Sequence, residues 1–290
     1  MKPAPFEYAA PNSIAEALDL LGRNDPDEVK LLAGGQSLMP LLNMRLARPS
    51  LVLDLGRVEG LDYVEAQDDG LSIGAMATKR QLEDSALVRD QYPLLWESTV
   101  AIGHPPIRNR GTVGGSMVQA DPASEYPAVA LAMDMEFVLV GAGGERVVAA
   151  EDFFVTFLTT AIEPNEILTE VRVPRLAPGT GWGFQELARR HGDFAMVGAV
   201  ATVALEAGIC VRPRVILFGV ADRATRVISA EECLAGVAPS EEVLKAVGEA
   251  VFDAVDDPMS DVHASAEYRR DLARVLSIRA MREAIDRANA

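Results

Sequence analysis

The sequence is poor in the residues that bind metals and clusters. It has two cysteines, Cys210 and Cys233, and three histidines, His104, His191 and His263. The cysteines lack the short paired spacings of zinc or iron–sulfur ligands, and the histidines have no metal-ligand spacing. Two isolated cysteines read as free thiols in a reducing cytoplasm. No apolar run approaches the ~20 residues of a membrane span. Met1-Lys2-Pro3-Ala4-Pro5 opens the chain without the apolar core of a signal peptide, so a cytoplasmic protein is expected. Positive charge is scarce as well. Lys and Arg number 27 against 43 Asp and Glu, a formal net charge of −16, which argues against a nucleic-acid backbone as partner. Such an acidic surface serves solubility first and docking of a basic partner second. Two nucleotide signatures are also missing. There is neither a Gly-x-Gly-x-x-Gly between strand and helix nor a Gly-x4-Gly-Lys-Ser/Thr, so neither a Rossmann domain nor a P-loop is indicated.

What is present suits a folded protein of about two domains: 290 residues, 49% of them hydrophobic, provide ample core material. Ser13-Ile14-Ala15-Glu16 has the form of a capping box, and Ile14, Ala17, Leu18 and Leu21 follow helical spacing up to Gly22. The apolar strand Val29-Lys30-Leu31-Leu32 runs directly into Ala33-Gly34-Gly35-Gln36-Ser37, and Leu51–Leu55 reads as another strand. Leu71–Ala75 is strand-like, and Thr78-Lys79-Arg80-Gln81 forms a second capping box. Glu136–Val140 and Glu145–Ala149 flank Gly141–Gly144 as a hairpin, and Ile167–Val173 closes the unit before Pro174 removes a donor. Pro174–Gly179 marks the best boundary. Beyond it come three strand-like runs, Trp182–Arg189, Ala195–Glu206 and Arg214–Val220, and then helical patterns to the C-terminus. Strands followed by helices indicate an α+β domain.

The chemistry concentrates in two glycine pairs, Ala33-Gly34-Gly35-Gln36-Ser37-Leu38 and Gly111-Thr112-Val113-Gly114-Gly115-Ser116. Paired glycines let backbone come close to a ligand and let successive N–H groups converge on an anion. Ser37, Thr112 and Ser116 add hydroxyl donors, so two such loops can grip the phosphates of a dinucleotide without a lysine. Each loop taken alone also fits a tight turn. Gly141–Gly144, between alternating strands, fits a hairpin turn better than a binding loop. After the second loop, Asp121-Pro122-Ala123-Ser124-Glu125 reads as a helix start with Asp121 as N-cap and Pro122 at the first position. Capping and the helix dipole explain Asp121 and Glu125; the functional alternative has them accept from ribose or ribityl hydroxyls.

The two loops, followed by Ala120-Asp121-Pro122-Ala123-Ser124-Glu125, resemble the FAD-binding medium subunit of carbon monoxide dehydrogenase and related molybdenum hydroxylases, and the flavin domain of xanthine dehydrogenase. The likeness spans the chain, from Phe6-Glu7-Tyr8 to Phe184–Arg189 and Arg190-His191-Gly192-Asp193-Phe194-Ala195. It implies an α+β fold: a two-lobed FAD domain of the vanillyl-alcohol-oxidase type over 1–176, with lobes 1–55 and 56–176. A smaller α+β domain over 177–290 follows, with a three-stranded antiparallel sheet and helices. By position, Leu32, Ala33, Gly34, Gly35, Gln36, Ser37 and Leu38 wrap the pyrophosphate and adenosine side, and Thr112, Gly114, Gly115 and Ser116 form the opposing phosphate loop. Ile102 lines the cofactor, Glu125 accepts from a hydroxyl, and Leu168 gives a backbone or apolar contact. Gln185 stands where the family often has a polar or basic residue near the flavin ring, and Phe194 where an aromatic residue covers it.

The sequence departs from the family at Gln36, often His; at Ser116, more usually Asp or Asn; and at Phe194, frequently Tyr. With Gln at 36 there is no candidate there for a His-linked flavin, so non-covalent FAD is expected. The resemblance further implies a large molybdopterin subunit and a small subunit with two 2Fe-2S clusters, assembled as a dimer of heterotrimers. Substrate would be oxidised in the large subunit and electrons would reach an external acceptor through FAD on this chain, which needs no acid or base of its own. His104 before Pro105-Pro106 reads as a turn residue, and His191 as either a turn residue or a neighbour of the flavin. The rival readings are a stand-alone flavoprotein oxidase of the same superfamily and an assembly module that has lost its flavin.

Overall fold

Ser13 starts the first helix by accepting the Glu16 amide on its hydroxyl at 3.2 Å, and Ile14–Gly22 follows. The expected capping box closes one residue early, because the Glu16 carboxylate takes the amide of Asn12, at 2.8 Å, instead of that of Ser13. This computed structural model describes residues 2–290. Ala17 and Leu21 on the buried face of the helix pack with Val29, Leu51 and Leu53 of a three-stranded parallel sheet. Its order is Glu7–Ala9, Leu51–Asp54, Val29–Leu32. Parallel neighbours require crossover connections. The chain therefore leaves Val29–Leu32 through the first glycine loop and the short helix Leu38–Asn43 before returning as Leu51–Asp54. The loop thus lies at the carboxyl end of a parallel strand, where open α/β sheets place their ligands.

The second lobe is a five-stranded antiparallel sheet in the order Val64–Ala66, Gly70–Gly74, Glu166–Pro174, Glu136–Gly141, Gly144–Ala149. The hairpin at Gly141–Gly144 has the expected pairing, with Gly141 opposite Gly144. Glu166–Pro174 closes the lobe in sequence but occupies the centre of the sheet. Its register shifts between Leu168 and Glu170, and the Thr169 carbonyl accepts the Ala75 amide at 2.9 Å. Helices cover one face of the sheet, with Phe137 stacked on Phe153 at 3.9 Å between ring centroids.

In the C-terminal part, Thr180–Ala188, Ala195–Glu206 and Ile209–Phe218 form an antiparallel meander, which a two-residue strand, Thr225–Arg226, extends at one edge. Side chains alternate between the two faces of this sheet. Gly181 and Gly183 lie so close to the carbonyls of Ala284 and Ala280 in helix Ala266–Ala288 that neither position has room for a Cβ. The other face, through Trp182, Phe184 and Phe218, joins the core of the second lobe. Arg287 ties the parts together by donating to Glu97 at 2.8 and 3.1 Å while covering the Trp182 ring. Among the described residues, no helix is long and apolar enough to cross a membrane.

Candidate functional site

The two glycine loops meet. Gly34 packs on the backbone of Arg110 and Gly111; a Cβ at Gly34 would overlap the Arg110 carbonyl oxygen and lie 2.8 Å from the Gly111 Cα. A cleft of about 730 Å³ opens beside the contact, lined by Leu32, Ala33, Gly34, Gly35 and Gln36 on one side and by Asn109, Arg110 and Thr112 on the other. Gly35 adopts φ +74°, a conformation that costs other residues ~1–2 kcal/mol.

The loops differ in what they offer a ligand. Among the described residues, the backbone amides of Gly34, Gly35, Gln36, Ser37 and Leu38 donate to no protein acceptor. Ser37 also leaves its hydroxyl uncommitted at the head of Leu38–Asn43. The second loop has spent its amides. Those of Val113 and Gly114 donate to Ala77 and Ala75 at 2.8 and 2.9 Å, and that of Gly115 donates to the Thr112 hydroxyl at 3.0 Å. Gly114 is glycine for another reason than a phosphate, since a Cβ there would lie 2.6 Å from both the Cβ and the carbonyl oxygen of Ala75. Of the expected opposing phosphate loop, Thr112 lines the cleft and Gly115 faces Ala33, while Gly114 faces the core. Ser116 is half-buried on the first turn of helix Val113–Gln119.

Beneath the second loop lie three ionisable groups. Lys79, 4% exposed, donates from Nζ to the Thr112 carbonyl at 3.1 Å. Burial pulls its pKa down to about 8, against the opposing attraction of Glu125. Glu125, 5% exposed, is pushed up to about 8 by burial and then by the charge of Glu186, and Lys79 only partly offsets this. Glu186 arrives from Thr180–Ala188; burial raises it to about 7, and its Oε2 has no hydrogen-bond partner among the described residues.

The other expected positions divide. Ile102 is buried, and its carbonyl accepts from Arg108, whose guanidinium also reaches Gly103 and grips Glu83 at 2.9 and 3.0 Å. This clamp shapes the 102–110 segment that forms one cleft wall. Leu168 is buried at the bulge of its strand. Gln185 does not face the cleft. It lies on the same strand face as Gly181 and Gly183, and its amide donates to Glu283 of the C-terminal helix at 3.1 Å. The two-residue period of the strand turns Glu186, one position on, to the side where Gln185 was expected. Phe194 is 66% exposed, just beyond a turn in which Gly192 (φ +84°) packs against Gly103 and the ring of His104, while His191 points to solvent. Asp121 is not the N-cap. Ser124 holds that place ahead of helix Glu125–Ala132, and the Asp121 carboxylate instead closes a turn by accepting the Ala123 amide at 2.9 Å.

Two residues of the site escaped the sequence reading, Lys79 and Arg110. For Lys79 there was a signal: a lysine at the first position of a helix opposes the helix dipole, so it needs another reason to be there. Arg110 lines the cleft with no ion-pair partner among the described residues, and nothing in its local pattern announces this.

A glycine cradle and a row of free amides along a cleft of about 730 Å³ between two lobes have the form of a site for a phosphate-bearing cofactor. Known proteins show which one. Residues 4–176 match the family model for the FAD binding domain in molybdopterin dehydrogenase, and residues 182–284 match that for the CO dehydrogenase flavoprotein C-terminal domain. Subunit alpha of the 6-hydroxypseudooxynicotine dehydrogenase complex of Paenarthrobacter nicotinovorans is 40% identical over 99% of this chain and 97% of its own length. The carbon monoxide dehydrogenase medium chain of Hydrogenophaga pseudoflava is 36% identical over 98% of both chains. Among solved structures, the carbon monoxide dehydrogenase of the same organism superposes with TM-score 0.96 at 38% identity over 99% of both chains. Quinoline 2-oxidoreductase of Pseudomonas putida 86 gives 0.94 at 35% over all of both. The chain belongs to the family of FAD-binding medium subunits of molybdenum-containing dehydrogenases and hydroxylases, a family of oxidoreductases.

Proposed function

We propose that this chain carries non-covalent FAD as the electron-outlet subunit of a molybdenum hydroxylase, beside a large molybdopterin subunit and a small subunit with 2Fe-2S clusters, in a dimer of heterotrimers. The observation behind this reading is the row of free amides from Gly34 to Leu38 along a cleft whose opposite wall is the Thr112 loop. Successive amides in a glycine turn form an anion cradle, and the Gly34 contact leaves no room for any side chain that would fill it. When bound, FAD takes up electrons delivered by the partner subunits and passes them to an external acceptor.

The chain's own part is to bind and orient. The Gly34–Leu38 amides hold the pyrophosphate, with the Ser37 and Thr112 hydroxyls as further donors. Arg110 balances the phosphate charge. Glu125 accepts from a sugar-chain hydroxyl, and exposed Phe194 stacks on the ring. Ile102 and Leu168 back the site. Gln36, whose amide donates to the Gly34 carbonyl at 3.1 Å, braces the loop and has no ring nitrogen to bond covalently to a flavin. The chain divides at 176/177, and its free thiols suit a reducing cytoplasm.

The test is to express the chain alone and with the subunits encoded beside it, and to record absorbance before and after acid precipitation. Flavin bands near ~370 and ~450 nm should appear in the supernatant. Flavin retained in the pellet would overturn the non-covalent reading. No flavin in either preparation would overturn the function itself.

A further inference from the structure

The backbone between Ala75 and Lys79 fastens the second loop: Ala75 and Ala77 accept from Gly114 and Val113, and the Lys79 amide donates to Gly111 at 2.9 Å. The Lys79 side chain adds a bond of another kind. It turns back into the protein, where Nζ donates to the Thr112 carbonyl and stands 5.6 Å from the centre of the Tyr126 ring. Thr112 is the residue of that loop that reaches the cleft. Glu125 lies beside Tyr126 on the neighbouring helix and is nine-tenths or more buried, as Lys79 is. Among the described residues no other side chain hydrogen-bonds the Glu125 carboxylate, which meets only its own backbone amide and so keeps capacity as an acceptor. Across from it, Glu186 brings a second carboxyl group from the C-terminal sheet, with a buried oxygen that has no hydrogen-bond partner among the described residues.

We propose that Lys79 is a positioning residue for the cofactor: its ammonium group fixes the Thr112 carbonyl beside Glu125, so that both residues keep the places from which they meet FAD. The inference rests on the FAD reading above. It gives Lys79 a role that neither its helix nor its capping box requires, and it ties the cofactor cleft to the C-terminal domain through Glu186.

The charges facing this cluster are Lys79 from helix Lys79–Asp84, Glu125 with the Tyr126 hydroxyl from helix Glu125–Ala132, Asp121 from the preceding turn, and Glu186 from the sheet. Between pH 7 and 9.5 the Lys79 ammonium and the Glu125 carboxyl each lose a proton, since both titrate at about 8. The cluster then becomes more negative by two charges, and the clamp on Thr112 weakens. Retention of FAD, an anion, therefore falls as pH rises.

The test uses the full chain assembled with its partner subunits, and measures the FAD dissociation constant by equilibrium dialysis with flavin fluorescence from pH 6 to 9.5. In the wild type the constant should rise about tenfold or more across the alkaline half of this range, the scale expected for losing a charged hydrogen bond. Lys79→Arg, which cannot lose its proton, keeps the clamp on Thr112 and should show only the smaller alkaline loss that Glu125 alone causes. Lys79→Met should bind about tenfold more weakly already at pH 7. Glu186→Gln removes a negative neighbour of Glu125 and should move the alkaline loss to lower pH. A flat wild-type profile would overturn the proposal, as would wild-type affinity in Lys79→Met. If Lys79→Met fails to fold, the wild-type and Glu186→Gln profiles still decide. Absence of FAD from the wild type at every pH would instead remove the function on which the inference stands.

Discussion

Replacing Gly34 by alanine is the sharpest test of the claim that the cleft exists because two glycine loops touch. The new methyl carbon would lie 2.8 Å from the Gly111 Cα and 2.9 Å from the Arg110 carbonyl carbon, both backbone atoms that cannot swing aside. Ordinary contact begins near ~3.4 Å, so the loops must part by roughly half an ångström or more. Overpacking of this kind costs about 1–3 kcal/mol. If the cost falls on the row of amides that holds the cofactor, FAD binding weakens by about 5- to 150-fold, at ~1.4 kcal/mol per decade. Gly143→Ala is the matched control: nothing lies within 4 Å of its Cβ, so stability should stay within about 0.5 kcal/mol. Thermal unfolding of the apoprotein and flavin released per chain, measured for both variants, separate the effects. A Gly34→Ala protein with full flavin content and wild-type melting would refute the argument, since the loops would then have had room to spare.

Three further outcomes follow from the same geometry. Arg108→Gln breaks a nearly buried, doubly hydrogen-bonded ion pair with Glu83 and frees the Ile102 and Gly103 carbonyls, so urea unfolding should show a loss of about 3 kcal/mol; a loss below about 1 kcal/mol would contradict the clamp. Phe194→Ser should leave melting unchanged, because the ring is 66% exposed, yet weaken FAD binding about fivefold through the lost stacking, as flavin fluorescence would show; unchanged affinity would remove Phe194 from the site. Glu125 and Glu186 titrate above their usual 4.5, at about 8 and about 7, so the folded apoprotein binds more protons than the unfolded chain between those values. Their contribution is fully present below pH 4.5 and is lost as pH rises through 7 to 8. Melting temperature should accordingly fall from pH 5 to pH 8, and less steeply in Glu186→Gln; equal slopes would argue against a buried Glu186.

The sequence determined what local chemistry can determine. Val29–Leu32 running into Gly34-Gly35 marked a strand that ends in a ligand-ready turn, Gly141–Gly144 marked a hairpin, and the Thr78–Gln81 capping box formed with both its bonds. Each depends on residues within a few positions of one another. The order of the two loops along the chain was enough to bring the family into view. What the tertiary structure alone decided is which groups remain free once strands and helices have taken their partners. Gly114 and Gly35 look alike in sequence, yet Ala75 consumes the amide of one while the other stays open, because Ala75, in the turn that follows strand Gly70–Gly74, is brought in from thirty-nine residues upstream of Gly114. Gln185 and Glu186 differ by one position, and the register of a sheet sends one to the C-terminal helix and the other toward Glu125. Lys79 reads as an ordinary helix start until folding buries it against Thr112. Faces, registers and burial are fixed by contacts between distant segments, so no pattern local to these residues records them.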